Sequence, residues 1–222
     1  MITDERVRDY LRSLEPDQSP LLDAMEKEAE EGDVPIIKKE TAALLKTLVA
    51  ARRPKAILEV GTAIGYSALV MASVMPADCR ITTIEKYEPR IPVAKAHFAE
   101  AGEERITLLE GDAEEILQEL TGPFDLIFMD AAKGQYLHWL PRILALLSPG
   151  GLLISDNCLQ EGSLVQSRYA VERRDRTIHT RMREYLWQLK HRPELETAVI
   201  PIGDGLALSV RKTEEPDRSL PF

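Results

Sequence analysis

The sequence is poor in cysteine, in aromatic residues and in long apolar runs. Cys79 and Cys158 are the only cysteines in 222 residues, and this pair suggests neither a disulfide framework nor a metal-ligand motif. The longest apolar runs, such as residues 143–147, are far too short to span a bilayer. The chain does not open on a basic segment followed by an apolar one, as a secretory signal does. We therefore expect a cytoplasmic protein with no membrane contact.

Net positive charge is missing as well. The formal charge of the chain is −9, which argues against a general nucleic-acid binder. One window departs from this balance, because residues 168–192 hold eight Lys or Arg and three acidic residues, a net charge of +5. A solvated helix face explains such a run, and so does a surface that contacts phosphates. Both explanations stay open at this point.

A dinucleotide-binding fingerprint is also absent. The apolar run at residues 57–60 ends in Gly61-Thr62-Ala63-Ile64-Gly65, and a helical pattern begins at about Tyr66. This is typical of a buried parallel strand that ends in a ligand-binding turn. The Gly-x-x-x-Gly spacing differs from the Gly-x-Gly-x-x-Gly of dinucleotide binders, which argues against a nicotinamide dehydrogenase. A purely structural strand-to-helix turn is the alternative.

Strand and helix patterns alternate from Lys55 onward. Strands are predicted at 55–60, 80–85, 105–110, 124–130 and 151–156, and helices at 66–75, 89–101, 113–120, 134–147 and 166–191, followed by a hairpin of 197–201 and 206–211. This alternation predicts an α/β fold in which helices cover both faces of a parallel sheet. We expect one domain over residues 1–222, with a Rossmann-like core at 55–211.

The first 52 residues show three amphipathic helical patterns. Such helices pack against the sheet or against a second copy of the chain, and we expect a homodimer. Segment 35–37, between the second and third patterns, is a candidate lid over the ligand, because loops before the first strand often border such sites.

Acidic residues stand at the ends of three successive predicted strands. Glu59 precedes the first glycine turn, Glu85 closes the second strand, and Asp112 follows the third strand after Gly111. Carboxylates along one edge repel one another, so fold stability does not explain them well. A cationic ligand that carries hydroxyl and amino groups explains them, with Glu85 accepting from a ribose.

Oxygen-bearing side chains also end the fourth and fifth predicted strands, which should be neighbours. These are Asp130, Asp156 and Asn157, a half-shell of the hard oxygen ligands that Mg²⁺, Mn²⁺ or Ca²⁺ prefers. No histidine lies near these positions, which disfavours zinc. Lys133 is placed to neutralise Asp130 or to act as a base. Carboxylates that cap loops are the alternative explanation.

These motifs together resemble a known family. The set is Glu59-Val60-Gly61-Thr62-x-x-Gly65-Tyr66-Ser67, Glu85, Gly111-Asp112-Ala113, Asp130-Ala131-Ala132-Lys133-x-x-Tyr136 and Asp156-Asn157. It resembles the cation-dependent O-methyltransferases, which include catechol and caffeoyl-CoA methyltransferases. The resemblance implies S-adenosylmethionine as methyl donor, and a Rossmann-like sheet of seven strands with the last one antiparallel.

The resemblance also implies roles by position. Glu85 would hold the ribose, Asp112 and Ala113 the adenine, and Gly61 and Ser67 the methionine end of the donor. Further donor contacts are implied for Ile37, Glu59, Thr62, Gly65, Tyr66, Gly111 and Asp130. Asp130, Asp156 and Asn157 would ligate the metal, and Asp130 and Lys133 would be the catalytic residues.

Within this family the sequence is similar to bacterial tRNA 5-hydroxyuridine methyltransferases. The similarity lies in residues 34–36, 130–136 and 201–207 and in the arginines of the basic window. It implies a tRNA anticodon arm as partner, contacted by Arg173, Arg174, Arg176 and Arg181. A catechol or another small molecule with two vicinal oxygens would suit the same metal site, and a non-catalytic module that binds an adenosyl ligand is a further alternative.

Overall fold

The computed structural model describes residues 4–213. Eight α-helices and seven β-strands alternate along this part of the chain. The helices are α1 Glu5–Ser13, α2 Pro20–Glu31, α3 Lys39–Arg52, α4 Tyr66–Ala72, α5 Ile91–Glu100, α6 Ala113–Glu119, α7 Tyr136–Leu146 and α8 Arg176–His191. The strands are β1 Ala56–Val60, β2 Arg80–Glu85, β3 Ile106–Glu110, β4 Phe124–Met129, β5 Leu147–Ser155, β6 Leu195–Ile200 and β7 Leu206–Arg211. Short 3₁₀ segments lie at Lys133–Gln135 and Gln160–Val165.

All seven strands form one sheet, in the order β3-β2-β1-β4-β5-β7-β6. The first five strands are parallel, whereas β7 is antiparallel to both β5 and β6. The seven-stranded α/β fold expected from the sequence is therefore confirmed. In this sheet β2 and β3 lie on one side of β1, whereas β4 and β5 lie on its other side. The strand order therefore reverses between β1 and β4. Ligands of such sheets bind at this point, beyond the carboxyl ends of the strands.

Two apolar cores lie on the two faces of the sheet. Helices α2 to α5 cover one face, with Met25, Val49 and Met71 fully buried. Helices α6 to α8 cover the other face, where Tyr136 and Tyr185 meet edge to face at 5.5 Å. The central strands are apolar on both sides because both sides are covered.

The basic window is not one long helix. Helix α8 begins at Arg176, ten residues later than the pattern predicts. The hydroxyl of Ser167 accepts from the backbone N–H of Tyr169, and the guanidinium of Arg176 donates to the carbonyl oxygens of Val171 and Tyr169. These local hydrogen bonds satisfy backbone groups in turns instead of a helix.

The first helix packs differently from its sequence pattern. Its apolar residues Val7, Tyr10, Leu11 and Leu14 face solvent and are 44–64% exposed. Its inward contact is polar, because the Arg12 guanidinium donates twice to the carboxylate of Glu40 in α3. Of the two packings expected for this helix, the one against the sheet is contradicted for its apolar stripe, and packing against a second copy of the chain stays a prediction. Within residues 4–213, no helix is both long enough and apolar enough to cross a membrane.

Candidate functional site

A cavity of about 700 Å³ lies at the carboxyl ends of the parallel strands, at the reversal of strand order. Its volume is in the range of small-molecule sites. Turns after β1, β2, β3 and β4 form most of its wall. Among the predicted site residues it is lined by Gly61, Glu85, Gly111, Asp112, Ala113, Asp130, Lys133 and Asn157.

The turn after β1 is held in a conformation that few residues adopt. Gly61, Ala63 and Gly65 have φ angles of 105°, 48° and 89°, and of these only Ala63 bears the steric cost of a side chain. A Cβ on Gly61 would collide with the backbone oxygen of Asp130. The glycine therefore lets the end of β4 approach the end of β1, which brings Asp130 to the cavity wall.

Glu85 connects the ends of β1 and β2. Its Oε2 accepts from the N–H of Ala63 at 2.8 Å, and its Oε1 accepts from the N–H groups of Lys86 and Tyr87 at 3.0 and 2.8 Å. Two carboxylate oxygens offer about four acceptor positions, so one remains for a ligand. The carboxylate both orders the turn and faces the cavity.

Glu59 lies behind the cavity wall and not on it. It is fully buried, and its two oxygens accept hydrogen bonds from the hydroxyls of Ser67 and Thr83. Thr62 joins this cluster through the hydroxyl of Thr83 at 2.6 Å. Burial raises the pKa of Glu59 to about 7 despite these hydrogen bonds. Glu59, Thr62 and Ser67, for which donor contacts were predicted, therefore do not line the cavity, and their contacts with the donor stay a prediction.

Three other predicted donor contacts also lie away from the cavity. The Tyr66 hydroxyl donates to Glu26 of α2 at 2.5 Å. Gly65 lies over the ring of Phe98, where a Cβ would come within 2.5 Å of a ring carbon. Ile37 is buried in the core beneath the segment that precedes α3. These residues shape the turn and its support.

Asp112 begins a helix at the cavity. Its carboxylate accepts from the N–H of Glu114 as the N-cap of α6, and also from Lys86 Nζ at 3.3 Å. The backbone hydrogen bond and the Lys86 cation hold the pKa of Asp112 below its usual value. Gly111 and Ala113 place this carboxylate at the rim, about half exposed.

At its second end the cavity is lined by Asp130 and Asn157, and Asp156 lies beside them. The Nδ2 of Asn157 donates to Asp130 Oδ1 at 2.8 Å, and Asp156 Oδ1 accepts from the N–H of Asn157 at 2.6 Å. Asn157 has a φ of 61°, a left-handed conformation that asparagine tolerates better than most residues. A small adjoining pocket of about 80 Å³ reaches Asp156, Asp204 and Ile37.

These three side chains fit a hard divalent cation. Burial raises the pKa of both Asp130 and Asp156, and their mutual repulsion raises that of Asp156 further. Two buried carboxylates at one place are costly unless a cation offsets them. Within residues 4–213, no three His, Cys, Asp or Glu side chains are grouped to hold a metal. The Asn157 amide would have to turn its oxygen inward, and water or substrate would complete the shell.

Lys133 follows Asp130 on a short 3₁₀ turn that is fixed from two sides. The Tyr136 hydroxyl donates to the carbonyl of Met129 at 2.9 Å, and the Arg181 guanidinium donates to the carbonyl of Gly134 at 3.0 Å. The charge of Lys133 lowers the pKa of Asp130, opposing the effect of burial. The turn therefore keeps an ammonium group beside the buried carboxylates.

Comparison with known proteins identifies the family to which this chain belongs. Residues 13–212 match the sequence profile of a family described as O-methyltransferase. The chain belongs to this O-methyltransferase family. The family expected from the motifs is thereby confirmed.

Several members of the O-methyltransferase family can be compared directly. Caffeoyl-CoA O-methyltransferase 1 of Eucalyptus globulus is 34% identical over 171 residues, 71% of this chain and 67% of that one. A catechol O-methyltransferase of Niastella koreensis is 36% identical over 127 residues, 54% and 57% of the two chains. The crystal structure of the O-methyltransferase TomG from Streptomyces achromogenes, involved in tomaymycin synthesis and in complex with SAM, is 27% identical. It aligns over 95% of this chain and 100% of that one, with a TM-score of 0.81.

In this O-methyltransferase, several cavity residues were not singled out from the sequence. They are Lys86, Tyr87, Arg90, Glu114, Gln135 and Trp139. Lys86 and Tyr87 directly follow Glu85, so their position after the strand end was a usable signal. Trp139 donates to Glu114 at 2.7 Å, and the Arg90 guanidinium lies 5.1 Å from the Tyr87 ring centroid. The first contact joins α7 to α6 and the second lies within the turn between β2 and α5, and the periodicity of helices and strands reveals neither.

The arginines of the basic window are largely engaged within the protein. Arg174 pairs with Glu172 and Asp175, whereas Arg176 and Arg181 donate to backbone carbonyls. Arg173 makes no hydrogen bond or ion pair with any residue in the described part of the chain. Several arginines of the basic window therefore stabilise loops of the protein itself. Contact of the basic window with RNA stays a prediction.

Proposed function

We propose that this protein is a cation-dependent O-methyltransferase that transfers the methyl group of S-adenosylmethionine to a small acceptor with two vicinal oxygens. A catechol or the caffeoyl group of a CoA ester has this chemistry. The observation that carries the proposal is one continuous cavity, because it joins Glu85 at one end to Asp130 and Asn157 at the other. Support also comes from the caffeoyl-CoA and catechol methyltransferases to which the chain is similar.

The two ends of the cavity suit two different ligands. Glu85, with one acceptor position left, would accept from a hydroxyl of the donor, and Asp112 would accept from its amino group. Gly61 would allow close approach of the donor to the backbone. Asp130, Asp156 and Asn157 would hold the cation. S-adenosylmethionine would supply the methyl group, and a divalent cation such as Mg²⁺, Mn²⁺ or Ca²⁺ would lower the pKa of the acceptor hydroxyl.

The chain itself contributes position and charge. The donor-binding end of the cavity, with Glu85, and the cation-binding end, with Asp130, lie along one wall. Two bound reactants would therefore be held next to each other in a fixed orientation. Lys133, on its fixed turn, would stabilise the oxyanion by its positive charge as an ammonium group, or would accept the hydroxyl proton at Nζ if it entered the reaction as the neutral amine.

The acceptor is tested by competition between substrates. Incubation with labelled S-adenosylmethionine and Mg²⁺ is expected to methylate catechol or caffeoyl-CoA. The double variant Arg173→Glu, Arg174→Glu is expected to retain this turnover within about twofold, because exposed surface substitutions have small effects away from the site. Initial rates with each acceptor, in wild type and variant, give the measurement.

A hydroxylated tRNA in the same assay addresses the second acceptor. The observation in its favour is the exposed Arg173 with no internal partner. If tRNA carrying 5-hydroxyuridine is methylated far faster than the catechols, if the double variant abolishes this, and if salt weakens tRNA binding steeply, then the small-acceptor proposal is wrong. Arg176 is left unchanged because it holds the carbonyls of Val171 and Tyr169.

Replacing Glu85 by alanine is expected to weaken S-adenosylmethionine binding. Loss of a charged acceptor for a donor hydroxyl costs about 1–3 kcal/mol, or roughly 5- to 150-fold in affinity. Three backbone N–H groups also lose their acceptor, so the melting temperature should fall. Calorimetric titration with the donor measures the first effect.

Glu110→Ala is the matched control for Glu85. Glu110 ends β3 in direct register with Glu85, but it pairs with Lys95 and lies outside the cavity. Its removal should leave donor affinity unchanged. Equal donor affinity of Glu85→Ala and wild type would remove Glu85 from the donor site.

Two further predictions concern the setting of the enzyme. We propose a homodimer, which the exposed apolar stripe Val7, Tyr10, Leu11 and Leu14 of α1 would help to form. We also propose a cytoplasmic location, since both cysteines are free and buried.

A further inference from the structure

A histidine outside the cavity connects three elements at the glycine turn. His97 lies on α5 and is 8% exposed. Its Nδ1 is 2.8 Å from the carbonyl oxygen of Ile64, and its Nε2 is 3.0 Å from Glu28 Oε2 of α2. Carbonyl and carboxylate oxygens only accept, so each contact is a hydrogen bond when the ring nitrogen concerned carries a hydrogen.

The Ile64 carbonyl depends on this ring. Ile64 is 2% exposed, and His97 is the only donor to its carbonyl within residues 4–213. Buried carbonyl groups are almost always paired, and an unpaired one is costly. Without the ring, the buried carbonyl of Ile64 would lack a hydrogen-bond donor. This would favour rotation of the peptide group toward another donor.

The contact acts on the strained part of the turn. Ala63, next to Ile64, has a φ of 48° and lines the cavity beside Glu85. Its N–H is held by Glu85, and the carbonyl of the following residue is held by His97. Residues in such rare conformations persist when the surroundings fix them from several sides. Phe98, the next residue of α5, supports Gly65 from below.

We propose that His97 is a positioning residue for the methyl donor, which fixes the Ala63–Ile64 part of the donor turn through the Ile64 carbonyl and is itself oriented by Glu28. The inference rests on the proposed function, because it takes the cavity wall at Ala63 as part of the donor site. Through Glu28 it connects helix α2 to the donor turn, although no residue of α2 lines the cavity.

Two isosteric variants separate the two hydrogen bonds. The side-chain amide nitrogen of asparagine is separated from Cα by the same number of bonds as Nδ1 of histidine. The side-chain amide nitrogen of glutamine corresponds in the same way to Nε2 of histidine. His97→Asn therefore keeps a donor for the Ile64 carbonyl and loses the contact with Glu28, whereas His97→Gln does the reverse. Each variant loses one of the two contacts of the ring, so a merely structural role predicts similar effects from both.

The measurement is calorimetric titration of each full-length protein with S-adenosylmethionine, together with its melting temperature and its KM for donor and acceptor. His97→Gln is expected to bind the donor about tenfold more weakly, with the KM for the acceptor unchanged. His97→Asn is expected to stay within about twofold of wild type. Glu28→Gln, which keeps an acceptor for Nε2, is expected to resemble wild type.

The outcomes are separable. If wild type binds the donor and both histidine variants bind it equally, whether normally or weakly, the inference is wrong and the proposed function stands. If wild type binds no S-adenosylmethionine, the proposed function fails and this inference with it. Should both histidine variants fold poorly, a normal donor affinity of Glu28→Ala would count against the orienting role of Glu28.

Discussion

Asp156→Asn is expected to lower methyl transfer by at least about a hundredfold while leaving donor affinity intact. Loss of a group that merely supports a metal ligand already costs about 10- to 100-fold, and Asp156 is a candidate ligand itself. The substitution is structurally mild, because the asparagine oxygen can still accept from the N–H of Asn157, as Asp156 does at 2.6 Å. Rates at saturating Mg²⁺ and calorimetry with S-adenosylmethionine measure the two effects.

Thermal denaturation gives a readout of the cation that is independent of turnover. A ligand that binds only the folded state raises its stability with concentration. The melting temperature of wild type should therefore rise with added Mg²⁺ and fall back with chelator, and that of Asp156→Asn should not respond. In chelator the variant should be at least as stable as wild type, since one of two buried, mutually repelling carboxylates is gone. Full turnover of wild type in excess chelator, with no metal retained, would refute the cation site.

Gly61→Ala is expected to destabilise the protein by about 3 kcal/mol or more and to abolish donor binding. Two costs add, because a non-glycine residue is disfavoured at a φ of 105° and the new Cβ would collide with the backbone oxygen of Asp130. Backbone cannot move aside as a flexible side chain does. Relief of the collision would push β4 away from β1 and displace Asp130. Denaturant unfolding and donor calorimetry test this.

Gly102→Ala provides the matched control. Gly102 also has a positive φ, 63°, but a Cβ there meets nothing within 4 Å. Its replacement should cost only the conformational term, about 1 kcal/mol, and leave donor binding unchanged. If the two variants were equally stable, close approach to Asp130 would not be the reason for a glycine at position 61.

Much of the site was predictable because its residues stand at strand ends. Buried parallel strands have a clear apolar pattern, and their carboxyl ends meet at one edge of the sheet. Gly61, Glu85, Asp112 and Asp130 are the residues that end or follow four such strands, and all four line the cavity. The sequence could also place Asn157, since it directly follows the fifth predicted strand, 151–156.

The sequence alone determined the order of strands and helices, the edge at which the acids collect and the family to which the chain belongs. The tertiary structure decided which of those acids face the cavity. Glu59 turns away toward Ser67 and Thr83, and His97 reaches a carbonyl 33 residues away. It also decided that Arg176 and Arg181 support loops, and that α1 turns its apolar stripe outward. Periodicity along the chain reports only which residues of a helix or strand are buried. It does not report the side-chain contacts that residues make with other turns and elements, because only the packed core establishes the relative positions of these parts.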